Sequence, residues 1–176
     1  MSVNLVWFRR DLRLSDNPAL HDATQNGKPI VPLFILDENT DNSGAAFKWR
    51  LGLSIESLSL DLERHNSKLI LRKGKPLNVL KELKSTLGDL SIFWNRLYDE
   101  DSVERDTEIK FYFESLGVSV KSREGMLLQS PWKTQTNSGS HYIVFTPFWK
   151  AISKQEVKQA LPKPSKIIKP LKWPET

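Results

Sequence analysis

The first 120 residues alternate between two hydrophobic periods, and this alternation constrains the fold more than any other feature of the sequence. Short apolar runs, typical of buried strands, take turns with longer segments in which apolar residues recur every three or four positions, as on one face of a helix. The predicted strands are Val3–Phe8, Ile30–Asp37, Lys68–Arg72, Ser91–Asn95 and Val118–Lys121. Such an order predicts the α/β class: a doubly wound, five-stranded parallel sheet with helices on both faces, in a Rossmann-like arrangement.

Capping residues and apolar stripes place the helices between these strands. Asn17-Pro18 starts the first helix, which runs to about Asn26, because Asn is a favoured N-cap and Pro a favoured first helical residue. Asp101–Glu104 resembles a capping box that opens a later helix, and Asn39–Gly44 predicts a polar loop. The other helices are predicted over about Ala45–His65, Pro76–Leu87, Asp101–Leu116 and Pro147–Ser153, with apolar stripes at Leu51, Ile55, Leu58 and Leu62 and at Leu77, Leu80, Leu83 and Leu87.

The loops that follow the strands are the predicted site of any ligand. In doubly wound sheets, ligands bind outside the carboxyl ends of the strands, where the strand order reverses. No G-x-G-x-x-G follows a strand and no P-loop motif occurs, so neither a classical dinucleotide site nor a P-loop site is predicted. The loops expected around the crevice are Arg9–Asn17, Asp37–Gly44, Lys73–Lys75 and Asn95–Asp101.

Positive charge is concentrated in the last third of the chain. Residues 1–120 hold 16 Lys and Arg against 18 Asp and Glu, whereas residues 121–176 hold 10 against 3, and the net charge of the whole chain is +5. This block favours a polyanionic partner, and a solvated, solubilising segment explains it equally well. From Leu161 onward, prolines and lysines predict a linker or an extended strap.

Composition excludes several functional classes. The chain has no cysteine, which excludes disulfides, thiolate metal sites and a cysteine nucleophile. Its three histidines, His21, His65 and His141, lack ligand spacing, so no metal site is expected. No apolar run is long enough to span a membrane, and Met1–Asn4 lacks the pattern of a secretory signal. We therefore expect a cytoplasmic protein, and we expect a monomer.

Three groups of charged side chains are candidates for ligand binding, each with a structural alternative. The loop Arg9–Asn17 holds three arginines that could bind a phosphate or carboxylate, but its two aspartates favour a self-neutralising network. Asp37 could accept a hydrogen bond from a ligand or cap the following turn, and capping is the simpler interpretation. Arg50 could point into the crevice or extend to solvent. Trp7 and Trp94 lie in predicted strands and are expected in the core.

Four stretches, in order, closely resemble the N-terminal part of the DNA photolyase/cryptochrome family. They are Val6–Leu20 (VWFRRDLRLSDNPAL), Pro32–Asp37 (PLFILD), Trp94-Asn95-Arg96 with the later Arg105-Asp106, and Val144–Trp149 (VFTPFW). The resemblance implies an α/β domain that holds a light-harvesting antenna chromophore. It also implies a C-terminal helical domain, absent from this chain, that holds FAD and splits cyclobutane pyrimidine dimers in DNA extruded from the duplex. This stretch alone is then not expected to repair DNA.

The resemblance also implies antenna-binding positions, residue by residue. In the flavin or deazaflavin branch these are Ile35, Leu36 and Asp37, then Arg50 and Arg105. Leu97 departs from the pattern, because deazaflavin-binding members usually have Asp there, and this weakens the deazaflavin assignment.

The folate branch uses an Asn-Glu pair where this chain has Asp101 and Ser102, which do not match. A flavin or deazaflavin is therefore ranked above an empty crevice, and methenyltetrahydrofolate is ranked last.

The expected division is an antenna domain over residues 1–130, its extension over 131–160 and the start of an interdomain linker over 161–176. In the full-length protein the partners would be DNA and the FAD-binding domain. Two alternatives remain open from the sequence: a cryptochrome photoreceptor, and a stand-alone nucleotide-binding α/β domain.

Overall fold

Five parallel strands form the centre of the structure, a computed structural model that describes residues 2–130, 134–136 and 138–176. The strand order is β3-β2-β1-β4-β5, and every neighbouring pair is parallel. The predicted doubly wound sheet is therefore confirmed. The strands are β1 (Val3–Phe8), β2 (Ile30–Leu36), β3 (Ile70–Lys73), β4 (Leu90–Asn95) and β5 (Val120–Arg123).

Helices connect the strands and cover both faces of the sheet. Asn17 caps the first one as predicted, because its side chain accepts a hydrogen bond from the backbone N–H of Leu20 at 3.1 Å. Within the described residues, no helix has both the length and the apolar character needed to cross a membrane. The helices are α1 (Pro18–Thr24), α2 (Glu38–Asp41), α3 (Ala45–Glu63), α4 (Pro76–Leu87), α5 (Glu100–Ser115) and α6 (Phe145–Ile152).

Two apolar clusters, one on each face of the sheet, form the core. Alternate residues of a strand point to opposite faces, so Leu5 and Trp7 of β1 join one cluster while Val6 and Phe8 join the other. The predicted stripes of α3 and α4 supply the helical sides of these clusters. Trp94 is buried next to Trp7, and their rings meet edge to face at 5.8 Å.

Several predicted boundaries were wrong, each for a local reason. Part of the predicted loop Asn39–Gly44 belongs to α2, because Asp37 caps a single helical turn by accepting from the N–H of Thr40 at 3.0 Å. Helix α5 starts at Glu100 with Asp99 at the N-cap, so Asp101–Glu104 is not a capping box. Helix α6 starts before Pro147, which is tolerated in a first turn where N–H groups lack helical partners.

Strand β5 lies two residues later than predicted because the end of α5 uses those two residues. The N–H of Val118 donates to the carbonyl of Phe113 at 3.0 Å, and the N–H of Gly117 donates to Glu114 at 3.0 Å. Gly117 has φ of 73°, the left-handed conformation that this Schellman-type ending requires. Val118 therefore still closes the helix, and pairing with β4 starts at Val120.

Residues 161–176, called the strap below, pack along the domain. The N–H of Asp16 donates to the carbonyl of Leu161 at 2.8 Å, and the N–H of Ile30, the first residue of β2, donates to the carbonyl of Ile168 at 2.8 Å. Between these bonds, Ile167 is buried in the apolar cluster shared by α1 and α3. Trp173 packs against the cluster on the opposite face. The strap thus passes the amino edge of the sheet.

Candidate functional site

A crevice of about 470 Å³ opens at the carboxyl edge of the sheet. The chain passes from β1 to β2 and β3 on one side and returns to β4 and β5 on the other, so the strand order reverses between β1 and β4. The crevice lies at this reversal, as the doubly wound topology predicts. Its walls come from the loop after β1, the ends of β2 and β4, and the first turns of α3 and α5.

Four of the five residues predicted to bind a chromophore line this crevice together: Ile35, Asp37, Arg50 and Arg105. Leu36 does not line it, and its side chain packs instead against the cluster under α3. Among the predicted loops, Lys73–Lys75 contributes nothing to the lining, whereas the other three do. Leu97, the departing position, forms part of the wall and is buried.

A buried amide joins the loop after β1 to the end of β4. The side-chain nitrogen of Asn95 donates to the Asp11 carboxylate at 2.6 Å and to the Asn17 side chain at 2.8 Å. Its oxygen accepts from the N–H of Ala19 at 3.1 Å. A fully hydrogen-bonded buried amide holds its partners in one arrangement. Two stretches far apart in the sequence are thereby held together at the carboxyl edge of the sheet.

The predicted neutral network around the arginine loop exists, but its main acid comes from another element. Arg9 donates to both oxygens of Asp106 on α5, at 2.8 and 2.6 Å. Asp106 also accepts from Arg105, whose Nη1 reaches Asp37 at 3.3 Å. We call these four residues the ion-pair row. Its two positive and two negative charges cancel, so it offers the crevice hydrogen-bonding groups without net charge.

Both guanidinium groups of the ion-pair row stack on the indole ring of Trp7. The central carbon of Arg9 lies 4.9 Å from the ring centroid, and that of Arg105 lies 5.2 Å from it. Burial lowers the pKa of Arg9 from its ordinary value, and the neighbouring Asp106 acts in the opposite direction. Trp7, expected only in the core, is therefore also a wall of the crevice.

Arg50 differs from the other arginines of the crevice. Arg10 pairs with Asp99 at 2.9 Å and Arg13 with Asp16 at 3.7 Å. The side chain of Arg50, by contrast, has no hydrogen-bond or ion-pair partner among the residues that the structure describes. It is exposed at the rim. The crevice thus combines a neutral polar interior with one uncompensated cation.

One face of α3 lines the crevice, and the sequence predicts only part of it. Phe47, Leu51 and Ser54 line the crevice together with Arg50. Their spacing of three or four residues puts them on one face of α3. This periodicity is visible in the sequence: Leu51 belongs to the predicted apolar stripe and Arg50 is a predicted crevice residue, whereas Phe47 and Ser54 are part of neither prediction. Ser102 was noted only as a mismatch with the folate branch, yet it is buried and lines the crevice, whereas Asp101 is exposed.

This arrangement can hold a flat, polar heterocycle that carries an anion. Trp7, Phe34, Ile35, Leu51 and Leu97 supply apolar walls. The ion-pair row supplies donors and acceptors, and Arg50 supplies a positive charge at the rim. Cavities of this size and mixed lining are typical of cofactor sites.

Comparisons with known proteins agree with the fold. The family model described as DNA photolyase matches residues 4–165. A deoxyribodipyrimidine photo-lyase of Agrobacterium fabrum is 38% identical over 173 residues, which are 98% of this chain and 36% of the relative. The crystal structure of a class III photolyase from Agrobacterium tumefaciens superposes with a TM-score of 0.94 at 35% identity, covering 99% of this chain and 36% of that one.

A third similar protein is archaeal. It is the photolyase from Sulfolobus tokodaii, solved with two FAD molecules, with a TM-score of 0.77 and 27% identity, covering 94% of this chain and 38% of that one. The chain spans somewhat more than a third of the length of each of these three relatives. The strand order, the crevice at its reversal and these likenesses lead to one assignment: the chain belongs to the DNA photolyase family and forms its N-terminal α/β domain.

Proposed function

We propose that the crevice at the carboxyl edge binds a flavin-type antenna chromophore, a flavin or a deazaflavin, and that the domain harvests light. The observation that carries this proposal is a cavity with aromatic walls and a neutral ion-pair row, whose lining has one cation, Arg50, without an acidic partner in the described part of the chain. A flavin nucleotide has the matching parts, a flat heterocycle and a phosphate.

Each of the four predicted residues that line the crevice then has a role that its surroundings support. Ile35 and Trp7 would contact the ring. Asp37 and Arg105 would meet its polar edge, because one is an acceptor and the other a donor at the same wall. Arg50 would bind the phosphate, for which a guanidinium is suited. The bound chromophore supplies absorption of blue or near-ultraviolet light, which no side chain of this domain provides.

The archaeal photolyase supports a flavin in particular. Its structure is described as containing two FAD molecules and as implying a novel light-harvesting cofactor. That wording concerns the archaeal protein, whose likeness to this chain covers 94% of the chain. Methenyltetrahydrofolate remains the weakest candidate, because Asp101 and Ser102 stand where the folate branch has Asn and Glu.

In the full-length protein, we infer that the domain passes excitation to FAD held by a C-terminal helical domain, which splits cyclobutane pyrimidine dimers in DNA. Residues 1–130 would form the antenna domain, 131–160 its extension and 161–176 the start of the linker; residues 131–133 and 137 lie outside the described residues. A monomeric, cytoplasmic protein is part of the same proposal. Light-dependent repair of a dimer-containing oligonucleotide tests it, and a light-responsive flavoprotein without repair would instead be a photoreceptor.

Titration of the domain tests the antenna directly. We expect FMN or a deazaflavin to bind with micromolar or tighter affinity, followed by absorbance and thermal shift. Arg50→Ala should weaken flavin nucleotide binding about tenfold, equivalent to about 1.4 kcal/mol, and should leave riboflavin, which lacks the phosphate, unaffected. Lys48→Ala is the matched control, because Lys48 is an exposed cation of the same helix outside the crevice lining. Failure of flavins, deazaflavins and methenyltetrahydrofolate to bind would contradict the proposal.

A further inference from the structure

Asp106 is a largely buried carboxylate to which the proposed function gives no role. It follows Arg105 on α5, and only 13% of its side chain is exposed. The crevice is lined by Arg105 but not by Asp106. Any effect of Asp106 on a ligand must therefore pass through its neighbours.

Both carboxylate oxygens of Asp106 accept hydrogen bonds from guanidinium groups. Arg9 Nη1 donates to Oδ1 and Oδ2, and Arg105 donates to Oδ1 from Nε at 3.2 Å and from Nη2 at 3.0 Å. The two guanidiniums repel each other because they carry like charges. A single carboxylate thus holds both of them over the ring of Trp7.

A count of its hydrogen bonds shows which N–H donors of Arg105 remain for a ligand. A guanidinium carries five N–H donors. Asp106 takes one from Nε and one from Nη2, and Asp37 takes one from Nη1. One N–H on each terminal nitrogen remains on a side chain that lines the crevice. Because Nε and Nη2 both bond to Asp106, that carboxylate fixes the plane in which the remaining donors lie.

We propose that Asp106 is the positioning residue of the crevice. It sets the plane of Arg105, so that two free N–H groups and the adjacent Asp37 carboxylate present one fixed pattern of donors and acceptor to the polar edge of a heterocycle. The effect on ligand binding rests on the proposed function. The hold of Asp106 on Arg105 does not, and it can be measured without a ligand.

The first experiment uses the ligand-free domain labelled with nitrogen-15. The Nε–H resonance of Arg105 is assigned by its absence in Arg105→Gln. We expect Asp106→Asn to shift this resonance and to speed its exchange with water at least tenfold. Glu114→Gln, which removes an exposed acid of the same helix paired with Lys110 at 3.8 Å, should leave it unchanged. An unaltered Arg105 resonance in Asp106→Asn would overturn the proposal.

The second experiment measures FMN affinity in a double-mutant cycle. We expect Asp106→Asn and Arg105→Gln each to weaken binding about tenfold, with the same shift in the absorption band of the bound flavin. The double variant should lose no more FMN affinity than Arg105→Gln alone, because Asp106 acts through Arg105. Losses that multiply to about a hundredfold, or wild-type affinity in Asp106→Asn, would overturn the positioning role.

Two further outcomes keep this inference separate from the proposed function. If the wild-type domain binds no flavin, deazaflavin or folate, the proposed function fails, and the Arg105 resonance alone decides the role of Asp106. If Asp106→Asn does not fold, Asp106→Glu keeps the charge and moves it by one methylene. It should then weaken FMN binding several-fold while the unfolding midpoint is retained. Wild-type affinity together with an unshifted Arg105 resonance in Asp106→Glu would contradict the proposal.

Discussion

Different interactions stabilise the carboxyl edge of the sheet, where the strands end, and the amino edge, where they begin. At the carboxyl edge, the buried side chains include ions and amides: Arg9, Asp11, Asn17 and Asn95. Arg9 also lines the crevice, which stays open. At the amino edge, the strap covers the domain with apolar side chains such as Ile167 and one backbone hydrogen bond to β2. Directional bonds can fix a geometry around an empty space, whereas apolar contacts stabilise only where they exclude water.

The largest loss of folding stability is expected at the carboxyl edge, from Arg9→Met. Only 5% of the Arg9 side chain is exposed, and removing one partner of a buried ion pair typically costs about 3–5 kcal/mol. Urea denaturation measures the change. Arg10→Met is the control, because Arg10 forms an exposed pair with Asp99 and should cost less than about 1 kcal/mol. Equal losses in the two variants would mean that burial of the ion pair is unimportant.

A smaller loss is expected at the amino edge, from Ile167→Ala. Ile167 is 4% exposed and packs with residues of α1 and α3, so the cavity should cost about 3 kcal/mol. The lost contact should also expose the strap to limited proteolysis. Leu171→Ala, at a strap residue that is 89% exposed, should change neither stability nor cleavage. Stability close to wild type in Ile167→Ala would mean that the strap does not anchor the domain.

Gly125→Ala tests how tightly the carboxyl edge is packed. A Cβ at Gly125 would lie 2.6 Å from Cγ of Asn95 and 2.9 Å from Cδ of Pro18, so the buried amide would have to move. We expect a loss of about 1–3 kcal/mol in thermal or urea unfolding. Gly52→Ala, within α3 and with nothing inside 4 Å, should instead gain about 0.5–1 kcal/mol. A gain in both variants would refute close packing at Asn95.

The smallest effect concerns the ion pair between the strap and α3. Lys163 lies 3.3 Å from Asp61. Burial raises the pKa of Asp61, but the hydrogen bonds and charges of Lys163 and Arg64 outweigh it and leave that pKa below its ordinary value. The pair therefore stabilises the fold above the unfolded pKa, and this contribution is lost as pH falls through the folded pKa.

Because Asp61 and Lys163 are partly exposed, the pair should contribute less than about 1 kcal/mol. The test compares the urea stability of wild type and Asp61→Asn at pH 6 and at pH 3. The difference between them should shrink at pH 3. A constant difference would show that Asp61 acts through packing rather than charge.

Most of the fold could be predicted from the sequence, and so could most positions around the crevice. Strand and helix periods predict the bounds of β1, β2, β4 and α4 to within one or two residues. They do so because burial on one or both faces of an element determines the spacing of its apolar residues. The shift of β5 depends on how α5 ends, and the extra helix α2 depends on one Asp37 hydrogen bond. Such local choices leave little trace in hydrophobic periodicity.

The prolines and lysines of the strap predict a linker or an extended segment, and a repeat of three residues in the same segment carries a further signal. Lysines recur every third residue of the strap, and all four are exposed. The residue after each lysine points inward and is buried or half-buried. A repeat of three is the period of an extended polyproline-type chain. The exposed set is Lys163, Lys166, Lys169 and Lys172, and the inward set is Pro164, Ile167, Pro170 and Trp173.

The sequence by itself determined the doubly wound sheet, the edge at which a ligand would bind and the family. These follow from periodicity and from ordered motifs, which local spacing can carry. Only the tertiary structure decided which charges compensate each other. Arg9 meets an acid 97 positions away, and Arg105 meets one 68 positions away, because the sheet brings β1, β2 and α5 to one edge. Among the residues that the structure describes, these pairings leave Arg50 as the one cation of the crevice lining without an acidic partner.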